Sequence, residues 1–437
     1  WMEGVGVRWV MTDRAKKPEW VDADLPSVNL MLGYLAAALL VPMFVFGIPG
    51  GVVADRVNRK KLLLLTQFLM MMIAASLLTA SVLDKASPTF LLVLSALQGT
   101  VMAFNIPAWQ VLYPRLVPRD ELPRAINLNS LQFNLARVIG PALGGFLLAY
   151  STSLLFAVNT LSFVGVMAAV AFTPDAPAPK RETRHPFHEA MDALRFVFRR
   201  KGPRRVLWGL VVYGFCANPV LQMMPLFITD VYNREAGAYG ILLSTMGVGA
   251  VIGGLAMRLV PAWYPRHHLI PLSVFLGGLS IVLFAAFPSF QLGAAFMFFV
   301  GWFWLWSFSI GFTALQLLVA DEMRGRVLAV SNTLVFGAMS LGSVAAGAIG
   351  DFVHHFNGIA NPQALGVQLG VGIMALILTA AGFVMLTWRT PEIDDLKPGD
   401  PGFESAPGFW RGITGAAHRP APTGRPEPPM HEPPSVG

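Results

Sequence analysis

Residues Gly51–Lys61 read GVVADRVNRKK and lie between two long apolar runs. The runs cover roughly Leu30–Ala54 and Leu62–Leu83, and each is long enough to cross a hydrocarbon core of about 30 Å as a helix. The stretch between them carries five charges, so it is predicted to be an aqueous loop that joins two membrane helices. Four of the five charges are basic, which is typical of a cytoplasmic loop.

The composition of the whole chain is that of a membrane protein. Apolar residues make up 54% of the 437 residues and charged residues 13%, against about 25% charged residues in soluble domains. The single cysteine, Cys216, excludes an internal disulfide and a cysteine-based metal site. The net charge of +7 does not indicate nucleic-acid binding, because the basic residues are sorted by loop.

The loop pattern G-x-x-x-D-R-x-x-R-K-K resembles the signature loop of the major facilitator superfamily. The resemblance implies an all-α membrane fold of two six-helix bundles, and a transporter rather than an enzyme, with no cofactor. It also implies that this loop bridges helices through charge contacts and helps gating, with Gly51, Asp55, Arg56 and Arg59 as its members. The alternative is a plain topology loop, which is the favoured interpretation for Lys60 and Lys61.

Eleven further segments follow the pattern of membrane helices after a short first one. Trp1–Thr12 is too short to span a bilayer and is interpreted as the outer half of a first helix that begins upstream of the sequence. The predicted spans are Leu30–Ala54, Leu62–Leu83, Phe90–Leu112, Asn127–Tyr150, Ser153–Phe172, Val206–Ile228, Ala238–Leu259, Leu269–Phe287, Phe290–Leu317, Val327–Ile349 and Leu365–Thr387.

These segments predict four parts of the chain. Residues 1–172 form an N-terminal helix bundle and residues 206–387 a C-terminal one. Residues 173–205 are rich in charge and proline and are predicted to be a cytoplasmic linker with an interfacial helix. Residues 388–437 are rich in proline and glycine, so a disordered cytoplasmic tail is expected.

The distribution of Lys and Arg predicts the orientation. With Gly51–Lys61 inside, the inner loops and the tail hold 25 of the 32 Lys and Arg residues and the outer loops hold five. The other two basic residues, Arg8 and Arg137, lie within predicted helices. This asymmetry is what positive-inside sorting produces. We therefore expect a multi-pass protein of the bacterial plasma membrane with a cytoplasmic C-terminus.

An internal repeat supports two similar halves. A shift of 202 residues without gaps superimposes two separate loop regions and several helix positions. The matched pairs are Gly47–Gly249, Gly51–Gly253, Arg56–Arg258, Asp120–Glu322, Arg124–Arg326, Gly140–Gly342 and Gly145–Gly347. The repeat adds Arg124, Glu322 and Arg326 to the predicted gating residues. Parallel repeats with a substrate site between them are the arrangement of this superfamily.

Polar residues and one proline recur along one face of the predicted helix Asn127–Tyr150. They are Asn127, Ser130, Asn134, Arg137 and Pro141. A charge inside the bilayer is costly unless it faces a partner or a wet cavity, so Arg137 is a candidate functional residue. The alternative is a structural arginine held by backbone carbonyls or by a carboxylate. We predict a contact between Arg137 and Glu3, in which proton binding at Glu3 would break the pair.

The sequence after Arg137 narrows the resemblance. Gly140, Pro141, Gly144 and Gly145 are similar to the G-P-x-x-G-G helix-bend motif of antiporter branches, although the longer motif has a glycine where this chain has Leu131. With Asn134–Arg137, the segment resembles the branch of bacterial macrolide and siderophore exporters. The arginine that proton-driven relatives often carry three residues before a Gln-Gly in the fourth helix is Ser95 here, which argues against proton coupling by that route.

Two further stripes are candidates for the wall of a central cavity. One stripe, on the predicted span Phe290–Leu317, carries Trp302, Trp306 and Ser309. If this stripe faces inward, the tryptophans would stack on an aromatic substrate; if it faces outward, they would anchor in lipid. Gln98 and Asn105 form a second stripe, on the predicted span Phe90–Leu112.

The predicted activity is export of small amphipathic molecules by alternating access, with proton antiport as one coupling. Metabolite uptake, and a lipid flippase or non-transporting scaffold, are the alternatives. The expected partners are the lipid bilayer, a small-molecule substrate and protons, but not nucleic acid, and the expected state is a monomer. No metal site is expected, because the histidine pairs lie in loops without companion ligands.

Overall fold

The computed structural model describes residues 2–17, 26–112, 118, 121–173, 186–260, 269–319, 321–354, 356 and 361–387, and most of these residues are helical. The helices are α1 (Met2–Arg14), α2 (Val28–Arg56), α3 (Arg59–Val82), α4 (Pro88–Leu112), α5 (Leu122–Tyr150), α6 (Thr152–Ala171), α7 (Pro186–Arg199), α8 (Lys201–Gln222), α9 (Ala236–Ala256), α10 (Leu269–Ala286), α11 (Phe290–Leu317), α12 (Asp321–His354) and α13 (Pro362–Met385).

Length and hydropathy make most of these helices membrane spans. Within the described ranges, nine helices are long and apolar enough to cross a bilayer, and α8 makes a tenth if it is counted together with the bent segment Met224–Val231 that follows it. The predicted all-α membrane fold is confirmed. The two long apolar runs at the start of the chain are α2 and α3, and only two residues separate them.

The seventh predicted span, Val206–Ile228, is broken rather than continuous. Helix α8 ends at Gln222, and the chain continues at an angle of 43° through a short helix and the π-helical turn Phe227–Val231. Pro219 and Pro225 lie on either side of the break. Because proline removes a helical hydrogen bond and crowds the preceding turn, the two prolines account for the bend.

The helix contacts repeat between helices α1–α6, which we call the first set, and helices α8–α13, which we call the second set. In the first set, α2 packs on α4, α3 on α6 and α4, α1 on α5 and α6, and α5 on α6. In the second set, α9 packs on α11, α10 on α13 and α11, α8 on α12 and α13, and α12 on α13. These six contacts of the first set therefore each have a counterpart seven helices later, which agrees with the repeat of 202 residues.

The two sets meet along two seams, which we name the α2–α12 seam and the α5–α9 seam. On the α5–α9 seam the backbones of Gly145 and Gly240 are in direct contact, and a Cβ atom added to Gly240 would lie 2.8 Å from the Cα of Gly145. On the α2–α12 seam, a Cβ added to Gly347 would lie 2.7 Å from the carbonyl oxygen of Asn29. Gly145 and Gly347 are matched by the repeat, so the same repeat position closes both seams.

Helix α7 lies between the two sets and contacts α2, α8 and α12. Its apolar residues Ala193 and Val197 are buried. Protein therefore covers much of the apolar face that the sequence assigned to a membrane interface. The end of the molecule with Gly51–Lys61 is called the loop end below, and the end with Arg14, Asp84 and Asp230 is called the Arg14 end.

Candidate transport site

Arg8 of α1 connects the first set of helices to the second. Its Nε donates a hydrogen bond to the hydroxyl of Tyr239 at 2.9 Å, and its Nη1 donates to Oε1 of Gln222 at 3.2 Å. Tyr239 belongs to α9 and Gln222 is the last residue of α8. Trp9 stacks on the Tyr239 ring at a centroid distance of 6.4 Å. A cation, two aromatic rings and an amide thus meet where α1, α8 and α9 converge.

Other polar contacts at the Arg14 end also join the two sets of helices. Lys16 Nζ lies 2.7 Å from Oδ1 of Asp230 and donates to the Thr229 hydroxyl at 2.9 Å. The backbone N–H of Ser27, just before α2, donates to Oδ1 of Asp351 in α12 at 2.9 Å. The two sets are therefore held together at this end by charge-assisted bonds as well as by glycine contacts.

A further ion pair stays within the first set. Arg14, at the end of α1, binds the carboxylate of Asp84 in the turn between α3 and α4, and Lys17 lies 3.8 Å from the same carboxylate. The hydrogen bond from Arg14 lowers the pKa of Asp84 below its ordinary value, because it stabilises the charged form. Asp84 has a φ of 55°, which is a turn conformation that Asp and Asn adopt more readily than most residues.

Glu3 of α1 accepts a hydrogen bond from the amide of Asn159 in α6 at 3.2 Å. Asn159 is itself buried. The side chain of Arg137 lies outside the described residues, so the predicted contact between Glu3 and Arg137 stays a prediction. In the described part of the structure, Glu3 is bound by the neutral amide of Asn159 on α6.

Helix α5 runs without interruption from Leu122 to Tyr150 with Pro141 inside it. Pro141, Gly144 and Gly145 are buried, and Gly140 is half-buried. Gly144 faces Met2 of α1, where an added Cβ would lie 3.4 Å from the Met2 Cα. The side chains of Asn127, Ser130 and Asn134 lie outside the described residues. The described part of the motif thus packs α5 between α1 and α9.

The predicted stripe on the fourth membrane helix is split between two environments. Asn105 donates a hydrogen bond to the buried hydroxyl of Thr66 in α3 at 2.8 Å, so it ties α4 to α3. Gln98 is half-buried, and its Oε1 accepts no hydrogen bond from the described residues. In this conformation the Oε1 atom of Gln98 is buried, so the predicted role of Gln98 and Asn105 in a cavity wall stays a prediction.

Trp302 and Trp306 of α11 pack against α9. Trp306 is 9% exposed, and its Nε1 donates to the carbonyl oxygen of Gly253 in α9 at 2.7 Å. Trp302 packs on Trp306 with a centroid distance of 5.9 Å and lies against Gly253. In this conformation both rings fill the contact between α9 and α11, and the predicted role of these residues in a cavity wall stays a prediction. Ser309, one turn further on, is exposed.

The signature loop is a tight connection between α2 and α3. Asn58 caps α3 by accepting a hydrogen bond from the N–H of Lys61 at 3.1 Å. Arg59 is 1% exposed, whereas Arg56 is exposed, and Gly51 has open space around its Cα. Lys60 donates to the carbonyl oxygen of Thr173 at 2.7 Å, which ties the loop to the end of α6.

The other predicted gating residues are only partly described. The side chains of Asp55, Arg124 and Glu322 lie outside the described residues. Arg326 lies at the start of α12 and is exposed. The charge contacts expected between the loop and these residues remain predictions. No group of three metal-ligating side chains occurs within the described part of the chain.

Four residues of the Arg14 end were not identified from the sequence. They are Lys16, Gln222, Asp230 and Tyr239. Gln222 and Asp230 carried a usable signal, because a polar residue at the end of an apolar helix near a proline is unusual. Lys16 and Tyr239 carried none, since a loop lysine and a tyrosine at a helix start are both common at membrane boundaries.

Comparison with protein families and characterised proteins agrees with this architecture. The family model described as transmembrane secretion effector matches residues 1–405. The enterobactin exporter EntS of Salmonella choleraesuis strain SC-B67 is 27% identical over 361 residues, which cover 81% of this chain and 84% of the exporter. Macrolide efflux protein A of Streptococcus pyogenes is 25% identical over 338 residues, which cover 74% and 80%.

Solved structures show the same fold at low sequence identity. A bacterial homologue of the human lysosomal transporter Spinster, in an inward-facing and unoccupied conformation, has a TM-score of 0.66 at 14% identity, with 97% of each chain covered. A D-xylose–proton symporter has a TM-score of 0.65 at 12% identity, with 89% of this chain and 95% of that chain covered. The chain therefore belongs to the transmembrane secretion effector family of major facilitator transporters.

Proposed function

We propose that this transporter exports small amphipathic molecules of the drug or siderophore type by alternating access. The names of its relatives, an enterobactin exporter and a macrolide efflux protein, support export and this class of substrate. The observation that carries the proposal is the group of Arg8, Trp9, Gln222 and Tyr239, which we name the Arg8 cluster. Its guanidinium suits an anionic or carbonyl group of a substrate, and its two aromatic rings suit an aromatic group.

In this proposal residues 1–172 and 206–387 act as two bundles that rock about the α2–α12 and α5–α9 seams. The contacts of Lys16 with Asp230 and of Ser27 with Asp351 would hold the Arg14 end closed. Residues 173–205 would link the bundles at the loop end, where the signature loop with Asp55, Arg124, Glu322 and Arg326 would form the other gate. Ser309 and Gln98 would contact the substrate as it passes.

Orientation, coupling and oligomeric state are part of the same proposal. The loop end faces the cytoplasm of a bacterial cell and the C-terminus lies on that side, because the loops there carry most of the Lys and Arg residues. The transporter works as a monomer. Proton antiport would use Glu3, which is a carboxyl group with a neutral amide partner inside the helix bundle.

Inside-out vesicles from cells that make the transporter provide the test. A fluorescent amphipathic dye added outside should accumulate inside when a proton gradient is imposed, and Arg8→Gln should abolish accumulation. Lys85→Gln removes an exposed charge at the same end and should leave it unchanged. Movement without a gradient would reject antiport but keep transport, and movement of labelled lipid alone would favour a flippase. No movement of any probe would reject the proposal.

A further inference from the structure

Five exposed basic residues surround the junction of α7 and α8. They are Arg195, Arg199, Arg200, Lys201 and Arg204, and we name this set the basic junction. The residues from 195 to 205 include no Asp or Glu. The set therefore carries an uncompensated charge of about +5 on a short segment.

The local contacts of the basic junction do not neutralise this charge. Arg204 donates to the carbonyl oxygen of Phe198 at 3.4 Å, and the guanidinium of Arg200 lies 4.6 Å from the ring centroid of Phe196. Neither partner is an anion. Within the described ranges, the ion pairs of the structure lie at the Arg14 end and include none of these five residues. The five charges are thus available to an external anion.

The position of the junction decides which anion can reach it. Lys201 is the first residue of α8, which is one of the candidate membrane helices, so the basic junction lies where this helix meets water. Two aromatic side chains beside it are exposed, Phe198 at 42% and Trp208 at 48%. Of the two, Trp208 is the more informative, because tryptophan concentrates at the head-group level of a bilayer.

We propose that the basic junction binds anionic lipid head groups of the leaflet that it faces. Basic residues close to a membrane surface each contribute about 1 kcal/mol to the attraction towards anionic lipids, and salt weakens this attraction. The positive-inside rule alone would also place basic residues at the membrane boundary, but it would not require them to prefer anionic lipids over neutral ones. The preference is therefore the property to measure.

Binding at the junction would act on both sets of helices. The same helix, α7, contacts α2 of the first set and α12 of the second, which together form the α2–α12 seam. Its residues Ala193 and Val197 are buried in these contacts. A lipid that fixes the end of α7 thus fixes a segment that lies against the α2–α12 seam. This inference concerns lipid binding and does not depend on the proposed substrate.

Quenching of tryptophan fluorescence tests the proposal on the full chain in lipid nanodiscs. Nanodiscs of phosphatidylcholine receive brominated phosphatidylglycerol or, separately, brominated phosphatidylcholine with the same acyl chains. The signal of Trp208 is the difference between the parent protein and Trp208→Phe. We expect brominated phosphatidylglycerol to quench Trp208 more strongly at equal mole fraction, and the difference to shrink as salt is added.

Two variants with opposite expectations complete the test. R195Q/R199Q/R200Q/K201Q/R204Q should need at least about tenfold more phosphatidylglycerol for half-maximal quenching. R195K/R199K/R200K/R204K keeps the charge and should retain the preference of the parent. All five positions are exposed, and equal melting temperatures of the three proteins show that folding is intact. Equal quenching by both lipids in the parent, or an unchanged preference in the Gln variant, overturns the proposal.

Discussion

Lys16 binds Asp230 across the Arg14 end, with Nζ 2.7 Å from Oδ1 and 2.8 Å from Oδ2. Lys16 follows α1 and Asp230 lies in the bent segment after α8, so the pair joins the first set of helices to the second. The two side chains are 34% and 17% exposed. Partly exposed pairs of this kind stabilise proteins by about 0–1 kcal/mol. In the proposed transport cycle, such a weak pair would favour the closed state of the Arg14 end and still allow this end to open.

We predict that Lys16→Gln shifts the Arg14 end towards an open state, by up to about fivefold in the ratio of open to closed molecules, because the ion pair is lost. Spin labels at Lys85 and Glu235, which are exposed in turns of the two sets, report the distance across this end. Cys216 is first replaced by serine. In Lys16→Gln, a larger fraction of molecules should show the longer distance between the two labels.

The charge swap K16D/D230K serves as the control for this experiment. It restores an ion pair with reversed signs, so its distance distribution should return towards that of the parent. An unchanged distribution in Lys16→Gln would show that the pair does not help to hold the Arg14 end closed.

The contact of Gly145 with Gly240 leaves no room for a side chain, so Gly145→Ala is expected to destabilise this conformation. A new Cβ would meet the backbone of Gly240, which cannot move as a flexible side chain can. Overpacking of this kind costs about 1–3 kcal/mol. The apparent melting temperature in detergent should fall, and the spin-label distance across the Arg14 end should lengthen.

Gly165 of α6 provides a matched control for that substitution. An added Cβ at Gly165 meets no atom within 4 Å. Because alanine is favoured over glycine within a helix by roughly 0.5–1 kcal/mol, Gly165→Ala should leave the melting temperature unchanged or raise it. If the two substitutions gave equal shifts, the close approach of α5 to α9 would not matter for stability.

Most of the fold was accessible from the sequence because lipid imposes strong rules on it. Apolar runs separated by charged turns indicated membrane helices, and the repeat of 202 residues predicted two similar halves. The bend after Gln222 was missed, although Pro219 and Pro225 could have indicated it. A hydropathy pattern records how apolar a segment is but not whether its backbone is continuous.

The side-chain partners were much less predictable. Arg8 is 231 residues from Tyr239 in sequence, and no local pattern links them. The stripe that contains Trp306 was compatible with a cavity or with lipid, but the carbonyl of Gly253 satisfies its N–H within the protein. Helical periodicity defines a face and leaves open which neighbour that face meets. The neighbour depends on contacts between distant segments.

Arg8 offers a third prediction, which concerns transport. Arg8→Lys keeps the charge but replaces the rigid, planar guanidinium with an ammonium whose donors lie on one nitrogen, so we expect it to lose at least one of the bonds to Tyr239 and Gln222. Loss of a hydrogen bond to a charged group costs about 1.5–3 kcal/mol. The initial rate of dye accumulation in inside-out vesicles should fall at least about tenfold.

Tyr239→Phe tests the same cluster more gently. It removes the hydroxyl that Arg8 binds and keeps the ring that stacks on Trp9. The initial rate should fall less than in Arg8→Lys. If Arg8→Lys transported as fast as the parent, the paired hydrogen bonds would have no role in transport.

The final prediction concerns the pH dependence of stability at the Arg14 end. The hydrogen bond from Arg14 holds the pKa of Asp84 below its ordinary value of 3.8. A carboxyl group with a lowered pKa in the folded state stabilises the protein above its ordinary pKa, and this stabilisation is lost as the pH falls through the lowered value. Asp84→Asn keeps a residue that tolerates a φ of 55° and removes the charge.

The melting temperatures of the parent and of Asp84→Asn should therefore differ near neutral pH and converge as the pH falls below about 3.8. The difference should be small, because the Asp84 side chain is 73% exposed and solvent screens the pair. In an Arg14→Gln background the same substitution should have a smaller effect, since Lys17 is then the remaining partner of the carboxylate. A gap between the parent and Asp84→Asn that persists unchanged into acid would assign the effect of Asp84 to the turn rather than to its charge.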